Sequence, residues 1–452
     1  MAHSESARQW VHVGSGLFAL LLRFLTWQQA AALAVAALTF NAFVLPRIGG
    51  RRLYRPIDEA RGFPLGILLY PSAVLCLILA FPHRLDLAAA AWGILAFGDG
   101  AATLVGRAVA TSDLPGARLY RRRLPWNREK TVAGSLAFVV CGATAGVALA
   151  WWTRPAISPP PSLAFVLAAP VVAAVAAAIV ETLPIRLDDN ISVPLTAATL
   201  LWLGSLSSSS HLAAARQTVA ATLPWALAVN AIVSWLGYRA RTVTLSGMLG
   251  GAAIGVVVYA CAGAAAWLFL FATFVVAAAT SRLGLEKKVL LGIAEERSGR
   301  RGVGNAFANC GVATIAALAA VLTPYRDASY LALVAALTAG SSDTVASEIG
   351  KAWGGATFLV TTLGRVKPGT PGAMSLEGTA AGIVAALALA ALAVGLNLVP
   401  SSVILAIAIG ATAGALVESA LAAMLEGPGI LNNDMLNFIN TAVAAIVALT
   451  LW

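Results

Sequence analysis

Charged residues are scarce in this chain. Asp, Glu, Lys and Arg make up only 11% of its 452 residues, whereas 59% are hydrophobic, and soluble domains carry about 25% charged residues. This shortage excludes an ordinary soluble protein. Long apolar runs recur from Trp10 to Trp452, and one transmembrane helix needs roughly 20 mostly apolar residues. The composition therefore predicts an integral membrane protein that crosses the bilayer many times.

Cysteine is also rare, and two familiar motifs are missing. The four cysteines, Cys76, Cys141, Cys261 and Cys310, stand singly in apolar runs, so we expect neither disulfides nor a metal–thiolate site. Neither half contains the G-x-x-x-x-G-K-[ST] motif, so any nucleotide site is expected to differ from a P-loop. No basic-then-apolar leader with a small-residue cleavage site opens the sequence, and we expect the N-terminal segment to remain as the first membrane element.

The hydropathy pattern predicts an all-α, polytopic bundle of transmembrane helices. About fifteen spans are expected, near residues 10–24, 27–46, 62–82, 86–107, 130–152, 163–183, 190–205, 217–238, 245–261, 262–280, 304–322, 328–342, 373–397, 400–425 and 434–452. With the N-terminus in the cytoplasm, most of the 30 Lys and Arg residues fall in cytoplasmic loops, as the positive-inside rule requires. Membrane orientation and contact with anionic lipids thus account for the net charge of +10, and no nucleic acid partner is expected. We expect a bacterial inner membrane location with the active sites facing the cytoplasm.

A Ser-rich stretch divides the sequence into two halves. The segment GSLSSSSHLAAARQ, residues 204–217, lies between hydrophobic blocks and has the composition of a flexible linker. We place the domain boundary near residue 213, which gives domains 1–213 and 214–452. Each half then holds its own carboxylates beside basic loops, so the sequence predicts one site in each half.

Asp99 is the first candidate in the front half. It interrupts the apolar run FGDGAATLVGR, and a carboxylate at membrane depth costs several kcal/mol by roughly any scale, so it usually faces a bundle interior or a cavity. The following Arg-rich loop ends in Asn127, Lys130 and Thr131 at a helix start, where free N–H groups and the helix dipole favour phosphate. A capped helix beside a positive-inside loop is the simpler alternative for each of these pieces.

More acidic residues follow on the same predicted membrane side. The segment ETLPIRLDDNISVP brings Glu181, Asp188, Asp189 and Asn190. Because Mg²⁺ is usually bound by one or two carboxylates plus substrate phosphates, these residues and the preceding phosphate-suited loop predict a Mg²⁺–nucleotide site.

The second half has its own polar segments. One predicted helix shows Asn305 and Asn309 on one face, and the segment AGSSDTVASEIG carries Asp343 and Glu348. A Gly/Pro-rich loop with Arg365 and Lys367 is suited to binding an anion. The last helix carries Asp434 and a face of asparagines, Asn433, Asn437 and Asn440, which could equally hydrogen-bond between helices without a catalytic task. The glycines at 247, 251 and 255 favour helix packing.

Four motifs of the front half resemble, in order and spacing, those of the phytol kinase family, which is related to dolichol kinases and CDP-diacylglycerol synthases. They are RQWVHVGSG, FGDGAATLVGR, LPWNREKTVAGS and ETLPIRLDDNISVP. The resemblance covers about residues 8 to 205. It implies a CTP-dependent kinase acting on a prenyl alcohol, with Asp99 and the Asp188–Asp189–Asn190 cluster near metal and phosphates. The sequence departs from the family at Gln9, where Lys is usual.

The second half resembles the integral-membrane phytyl phosphate kinase family over about residues 217 to 452. The matching pieces are Ser281–Arg282, Asn305 to Gly311, SSDTVASEIG, TTLGRVKPGTPG with Glu377–Gly378–Thr379, and NNDMLNFINT. The sequence departs from that family at Val345, at the loop 369–373 and at Glu418, where the family has Trp, a Gly-Thr-Ser-Gly-Gly loop and Asp. The resemblance implies a second phosphorylation step.

The two halves together predict a bifunctional prenol salvage kinase that makes a monophosphate and then a diphosphate with CTP or another nucleoside triphosphate and Mg²⁺. Asp99 and Asp343 are the expected catalytic residues. The expected metal ligands are Asp99, Asp188, Asp189, Asp343, Glu348, Glu418 and Asp434; the expected nucleotide- or phosphate-binding residues are Arg107, Asn127, Lys130, Thr131, Asn190, Arg282, Asn305, Asn309, Arg365 and Lys367. A CDP-lipid-forming cytidylyltransferase, a secondary transporter and a non-catalytic scaffold are the alternatives.

Overall fold

A computed structural model describes residues 5–48, 53–54, 58–59, 62–111, 122–184, 187–284, 288 and 300–452. Three Arg- and Lys-rich segments between expected spans, near residues 47–61, 107–130 and 282–301, lie partly outside the described residues. The chain divides into two compact units, Met1–Ser205 and Leu206–Trp452. This division falls slightly before residue 213, where the sequence led us to place a boundary.

The described part of the first unit consists of helices. These are α1 (Glu5–Gly16), α2 (Trp27–Thr39), α3 (Leu65–Ala80), α4 (Leu85–Gly93), α5 (Gly100–Thr111), α6 (Val132–Thr153), α7 (Leu163–Thr182) and α8 (Asp189–Leu206). A 3-10 helix, Leu17–Arg23, follows α1, and π-helical turns follow α2 at Phe40–Val44 and α4 at Ile94–Asp99.

Helix α4 forms the centre of the first unit. Eight of its nine residues are buried, as expected for a helix that is surrounded by other helices. Its one charged residue, Asp86, is paired with Arg84 at 2.8 Å. Gly93, the last residue of α4, allows a close approach, since a Cβ there would lie 2.6 Å from Leu149 on α6. The π-helical turn that continues from α4 carries Asp99 and is therefore held at the core of the unit.

The second unit is also mainly helical. Its helices are α9 (Ser209–Arg239), α10 (Leu245–Arg282), α11 (Val303–Leu322), α12 (Arg326–Trp353), α13 (Leu376–Gly395), α14 (Ile404–Leu425) and α15 (Asn433–Thr450). Helix α12 is the central one, because nearly every residue from Leu331 to Ser342 is buried. The next residue along this core helix is Asp343.

The segment that we expected to be a flexible linker is largely helical. Helix α9 begins at Ser209, and the side chain of Ser208 caps it by accepting a hydrogen bond from the His211 N–H at 3.2 Å. Ser is a favoured N-cap residue, and the Ala-rich sequence that follows favours a helix. The linker prediction is therefore wrong for residues 209–217.

Helix α10 contains a break close to the boundary between two of the expected spans. The spans near 245–261 and 262–280 fall in this one element of 38 residues, in which Gly263 has non-helical angles (φ 88°, ψ 174°). A continuous helix of this length would be about 57 Å long, which exceeds a hydrocarbon core of about 30 Å. Glycine tolerates the positive φ, so Gly263 divides α10 into two shorter helical segments.

Within the described residues, nine helical stretches are long and apolar enough to cross a membrane. They are Trp27–Val44, Leu85–Val109, Val132–Ala156, Leu163–Thr182, Ser209–Arg239, Leu245–Arg282, Val303–Leu322, Leu376–Gly395 and Ser401–Leu425. This agrees with an all-α, polytopic membrane protein. The count of about fifteen spans and the cytoplasmic N-terminus remain predictions.

A small antiparallel sheet lies between α12 and α13, where the sequence analysis expected only a loop. It consists of β1 (Thr357–Leu359), β2 (Arg365–Val366) and β3 (Ala373–Ser375) in the order β2-β1-β3, with Thr357 paired to both Val366 and Ser375. The turn before β3 packs onto α14, since a Cβ on Gly372 (φ 75°) would collide with the backbone oxygen of Ser419. The sheet thereby holds the Gly/Pro-rich loop against the helices of the second unit.

Candidate functional site

Three carboxylates come together in the first unit. Asp99, Glu181 and Asp189 each have a ligand atom within 4.8 Å of the others. Asp99 ends the π-helical turn, Glu181 lies in the last turn of α7, and Asp189 opens α8. We call these three residues the carboxylate cluster. Oxygen ligands of this kind suit a hard cation such as Mg²⁺.

Lys130, which the sequence analysis predicted to bind phosphate, lies against the carboxylate cluster. Its Nζ donates to a carboxylate oxygen of Glu181 and, at 3.2 Å, to Asp189 Oδ2. Burial lowers the pKa of Lys130, but the charges of Asp189 and Glu181 outweigh burial and hold the pKa above its usual value. Three carboxylates and one ammonium group thus meet at this point of the described structure.

The loop before α6 is fixed by its own polar side chains. Thr131 caps α6 by accepting from the Gly134 N–H at 3.1 Å, and Asn127 donates to the Thr182 carbonyl at the end of α7 at 3.2 Å. These contacts position Lys130 beside Glu181. Arg107, in contrast, is exposed on α5 and lies outside the carboxylate cluster.

His12 is a neighbour of Asp99 that the sequence reasoning did not single out. Its Nε2 lies 3.6 Å from Asp99 Oδ2. Glycines explain this approach, because a Cβ on Gly100 would collide with Val13 and one on Gly16 would collide with Ala96. Helix α1 thus packs directly on the π-helical turn. The one indication of a site role in the sequence was that this histidine belongs to the motif RQWVHVGSG.

Asp188 contacts Asn190, its partner in the predicted cluster, and lies outside the carboxylate cluster. Its Oδ1 accepts hydrogen bonds from the Asn190 backbone N–H at 2.9 Å and from Asn190 Nδ2 at 2.7 Å. A Cβ on Gly66 would lie 3.1 Å from Arg8 Nη2 and 3.8 Å from Asp188 Oδ2, so Asp188 and Arg8 both point toward Gly66. Of the predicted Asp188–Asp189 pair, only Asp189 joins the carboxylate cluster, because consecutive residues at a helix start point in different directions.

An apolar cavity of about 480 Å³ adjoins His12. We call it the front cavity. Its lining includes the apolar side chains of Leu22, Ala30, Ala34, Val74 and Ile78 and the polar side chains of Arg8, His12, Ser15, Asn41 and Tyr70. His12 therefore lines the front cavity and also lies 3.6 Å from Asp99 of the carboxylate cluster.

A polar cavity of about 360 Å³ lies in the second unit. We call it the polar cavity. It brings together four of the predicted site residues, Asn305, Asn309, Asp343 and Glu418. Its lining also includes Arg301, Ser347, Lys351, Glu426, Asn433 and Asn437, and the loop 368–373 before β3. Three acids, two basic residues and glycine-rich backbone therefore surround one space.

Packing between helices positions two of the three acids of the polar cavity, Asp343 and Glu418. Asp343 directly follows the buried stretch of α12 and is half-buried. Glu418 on α14 accepts a hydrogen bond from Asn440 Nδ2 on α15 at 2.8 Å. Gly414 makes this bond possible, since a Cβ there would collide with Asn440. Asn440 thus forms a hydrogen bond between α14 and α15, which is the alternative to a site role given above.

Glu348 was predicted to bind metal, but its carboxylate pairs with two lysines. Within the described residues it accepts from Lys288 Nζ and from Lys351 Nζ, the latter at 3.1 Å, and it is only 2% exposed. Lys288 also donates to the Ser281 carbonyl at 2.9 Å. Two lysines compensate the charge of Glu348, so it fixes the end of α12 instead of lining the polar cavity.

The remaining predicted residues of the second half lie elsewhere. Arg282, Arg365 and Lys367 are exposed, and Arg365 extends over the Phe358 ring on β1, with its Cζ 5.8 Å from the ring centroid. Asp434 packs at the start of α11, where a Cβ on Gly304 would lie 2.5 Å from its Oδ2. None of these four is among the residues that line the polar cavity in the described part of the chain.

Gly414→Ala tests the packing that orients Glu418. The added methyl group must push α14 and α15 apart, so we expect a loss of about 1–3 kcal/mol in the free energy of unfolding and a lower Tm in detergent. Gly395→Ala is the control, because a Cβ at that exposed position meets nothing within 4 Å. An unchanged Tm for Gly414→Ala would contradict the close packing described here.

A family model described as integral membrane protein DUF92 matches residues 228–445. An uncharacterized membrane protein of Synechocystis sp. is 41% identical over 43% of this chain and 77% of its own length. Protein VTE6, chloroplastic, of Arabidopsis thaliana is 34% identical over 52% of this chain and 73% of its own length.

Relatives of a second kind carry an enzyme name. The probable phytol kinase 2, chloroplastic, of Glycine max is 30% identical over 45% of this chain and 66% of its own length. No solved structure matches the chain.

Proposed function

The chain belongs to the DUF92 family of integral membrane proteins, and from this premise we propose that it is a bifunctional kinase that phosphorylates a prenyl alcohol twice. The first unit converts the alcohol to its monophosphate, and the second unit converts the monophosphate to the diphosphate. CTP or another nucleoside triphosphate is the donor. The likeness to a probable phytol kinase supports this class of chemistry.

One observation carries the proposal: each unit has its own acidic site next to a basic side chain. The carboxylate cluster with Lys130 lies in the first unit, and Asp343 and Glu418 share the polar cavity with Arg301 and Lys351 in the second. Phosphoryl transfer depends mainly on positioning and on neutralising phosphate charge. Two separate sites of this composition suit two successive transfers.

The front cavity suits the acceptor of the first step. A prenyl alcohol is an apolar chain with one hydroxyl group, and the front cavity is mainly apolar with polar residues that include His12. With its hydroxyl group at His12, the prenyl alcohol would also lie next to Asp99. Either side chain is of a type that can accept the hydroxyl proton, and their separation of 3.6 Å lets the two share that task.

Mg²⁺ is the cofactor of this proposal. The oxygen ligands of Asp99, Glu181 and Asp189 would hold it in the first unit, and those of Asp343 and Glu418 in the second. Bound there, Mg²⁺ would neutralise the charge of the nucleotide phosphates. Lys130 in the first unit and Lys351 in the second would contact the phosphate oxygens of the nucleotide. Because the nucleotide comes from the cytosol, we propose that both sites are reached from the cytoplasmic side of the inner membrane.

The direct test uses purified full-length protein in lipid nanodiscs. Phytol, farnesol and geranylgeraniol are each supplied with radiolabelled CTP or ATP and Mg²⁺, and the lipid and nucleotide products are separated by chromatography. We expect monophosphate first, diphosphate later, and release of the nucleoside diphosphate. A CDP-lipid with release of pyrophosphate would instead identify a cytidylyltransferase, and the absence of product from every prenol would refute the kinase proposal.

A further inference from the structure

Two cavities of different character adjoin each other in the second unit. The polar cavity shares Arg301, Asn305 and Asn309 with a smaller cavity of about 150 Å³. We call the smaller one the apolar pocket. It lies among α9, α10 and α11 and is lined largely by apolar side chains such as Trp267, Leu270, Phe271 and Phe274. A molecule with a polar head and an apolar tail fits this arrangement.

The walls of the apolar pocket are built from aromatic side chains that are held in place. The rings of Trp267 and Phe271 stack with centroids 5.5 Å apart. Trp267 also donates to Asn230 Oδ1 on α9 at 2.9 Å. This hydrogen bond satisfies the indole N–H, so the ring presents only apolar surface to the pocket.

Arg301 lies at the junction of the two cavities. Its backbone is fixed to the turn between α9 and α10, because its N–H donates to the Thr242 carbonyl at 3.1 Å and its carbonyl accepts from the Thr244 N–H at 3.0 Å. Its Cζ lies 6.0 Å from the centroid of the Phe274 ring. A guanidinium group recognises phosphate oxygens in a forked geometry, so Arg301 can hold a phosphate at the point where apolar surface begins.

The glycines at 247, 251 and 255 have unequal roles in α10. A Cβ on Gly247 would collide with the Arg301 backbone oxygen, and one on Gly255 would collide with Asn230 Oδ1. These two glycines therefore permit close packing. Gly251 lies between them and lines the apolar pocket, yet a Cβ there would meet nothing within 4 Å. Glycine at position 251 therefore leaves space open in the apolar pocket, and no close packing contact requires a glycine there.

We propose that the apolar pocket binds the isoprenoid chain of a prenyl monophosphate next to its phosphate, that Arg301 holds that phosphate, and that Gly251 keeps the pocket open. This inference rests on the proposed function of the second unit. Pockets for whole small ligands usually measure about 300–1,000 Å³, and the apolar pocket is smaller. It therefore takes only the isoprene units nearest the phosphate, and the rest of the chain extends into the bilayer.

Gly251→Leu is the variant that tests the pocket. Its side chain fills the space that the isoprene units need, so we expect the Kd for radiolabelled geranylgeranyl monophosphate, measured without nucleotide, to rise at least about tenfold. The KM for this substrate should rise in parallel while the KM for CTP stays unchanged. Gly251→Ala should give a smaller increase, because it fills less space. Gly395→Leu is the matched control, as Gly395 is likewise free of neighbours within 4 Å but lies outside both cavities.

The outcomes separate this inference from the proposed function. An unchanged Kd for folded Gly251→Leu, with folding checked by gel filtration and CTP binding, overturns the inference even if diphosphate is made. Equally strong competition by a two-chain acyl lipid phosphate also overturns it. If the wild type binds the prenyl monophosphate, Gly251→Leu does not, and neither makes diphosphate, the pocket is supported and the kinase function of the second unit fails. If Gly251→Leu does not fold, an unchanged Kd for Gly251→Ala overturns the inference instead.

Discussion

Asp99→Asn is expected to abolish phosphorylation of the prenyl alcohol, with a loss of at least about a hundredfold in rate. Asparagine keeps the size of the side chain but removes one of the three carboxylates of the carboxylate cluster. In the proposed mechanism these carboxylates balance the charge of the cation, and Asp99 is the one that faces His12. Added prenyl monophosphate should still be converted to the diphosphate. The measurement is the initial rate of each step with purified variant protein.

Glu129→Gln is the matched control for Asp99→Asn. Glu129 is exposed and adjoins Lys130 in sequence, so this variant removes a carboxylate from the same region without touching the carboxylate cluster. We expect wild-type rates for both steps. Normal alcohol phosphorylation by Asp99→Asn would refute the role proposed for the cluster.

Asp343→Asn is expected to block the second step with a similar loss, at least about a hundredfold. Asp343 and Glu418 are the acids proposed to hold the cation in the polar cavity, so loss of one charge weakens the stabilisation of the transferring phosphoryl group. Supplied with prenyl alcohol and nucleotide, the variant should accumulate monophosphate. The test is the time course of both lipid products.

Asp327→Asn provides the control on the same helix. Asp327 is exposed in the first turn of α12, so this substitution should leave both products at wild-type levels. If Asp99→Asn and Asp343→Asn block the same step, there is one composite active site and the assignment of one step to each unit is wrong. If neither blocks a step, both acids are structural.

Some of the site was predictable because its parts lie in short, recognisable segments. Asp99, Lys130 and Asp189 were expected near phosphates and metal, and the described structure brings all three together. In the second unit, Asn305, Asn309, Asp343 and Glu418 do line one cavity. An acid within an apolar run is costly, so its position along the sequence already marks it as a candidate.

Other features depend on contacts between distant segments, which residue type alone does not reveal. Glu348 was expected to bind metal because it lies beside Asp343 in sequence, but its side chain pairs with Lys288. His12 meets Asp99 only because Gly16 and Gly100 allow α1 to pack closely.

The sequence by itself determined that this protein is helical and lies in a membrane. Its long apolar runs leave the backbone no water to bind, so hydrogen bonds within helices are required. Only the tertiary structure decided which polar groups share a site, how the sheet holds the loop 368–373, and where apolar space adjoins polar space. These depend on how closely helices approach: Gly414 allows α14 and α15 to pack closely, and Gly251 leaves space in the lining of the apolar pocket.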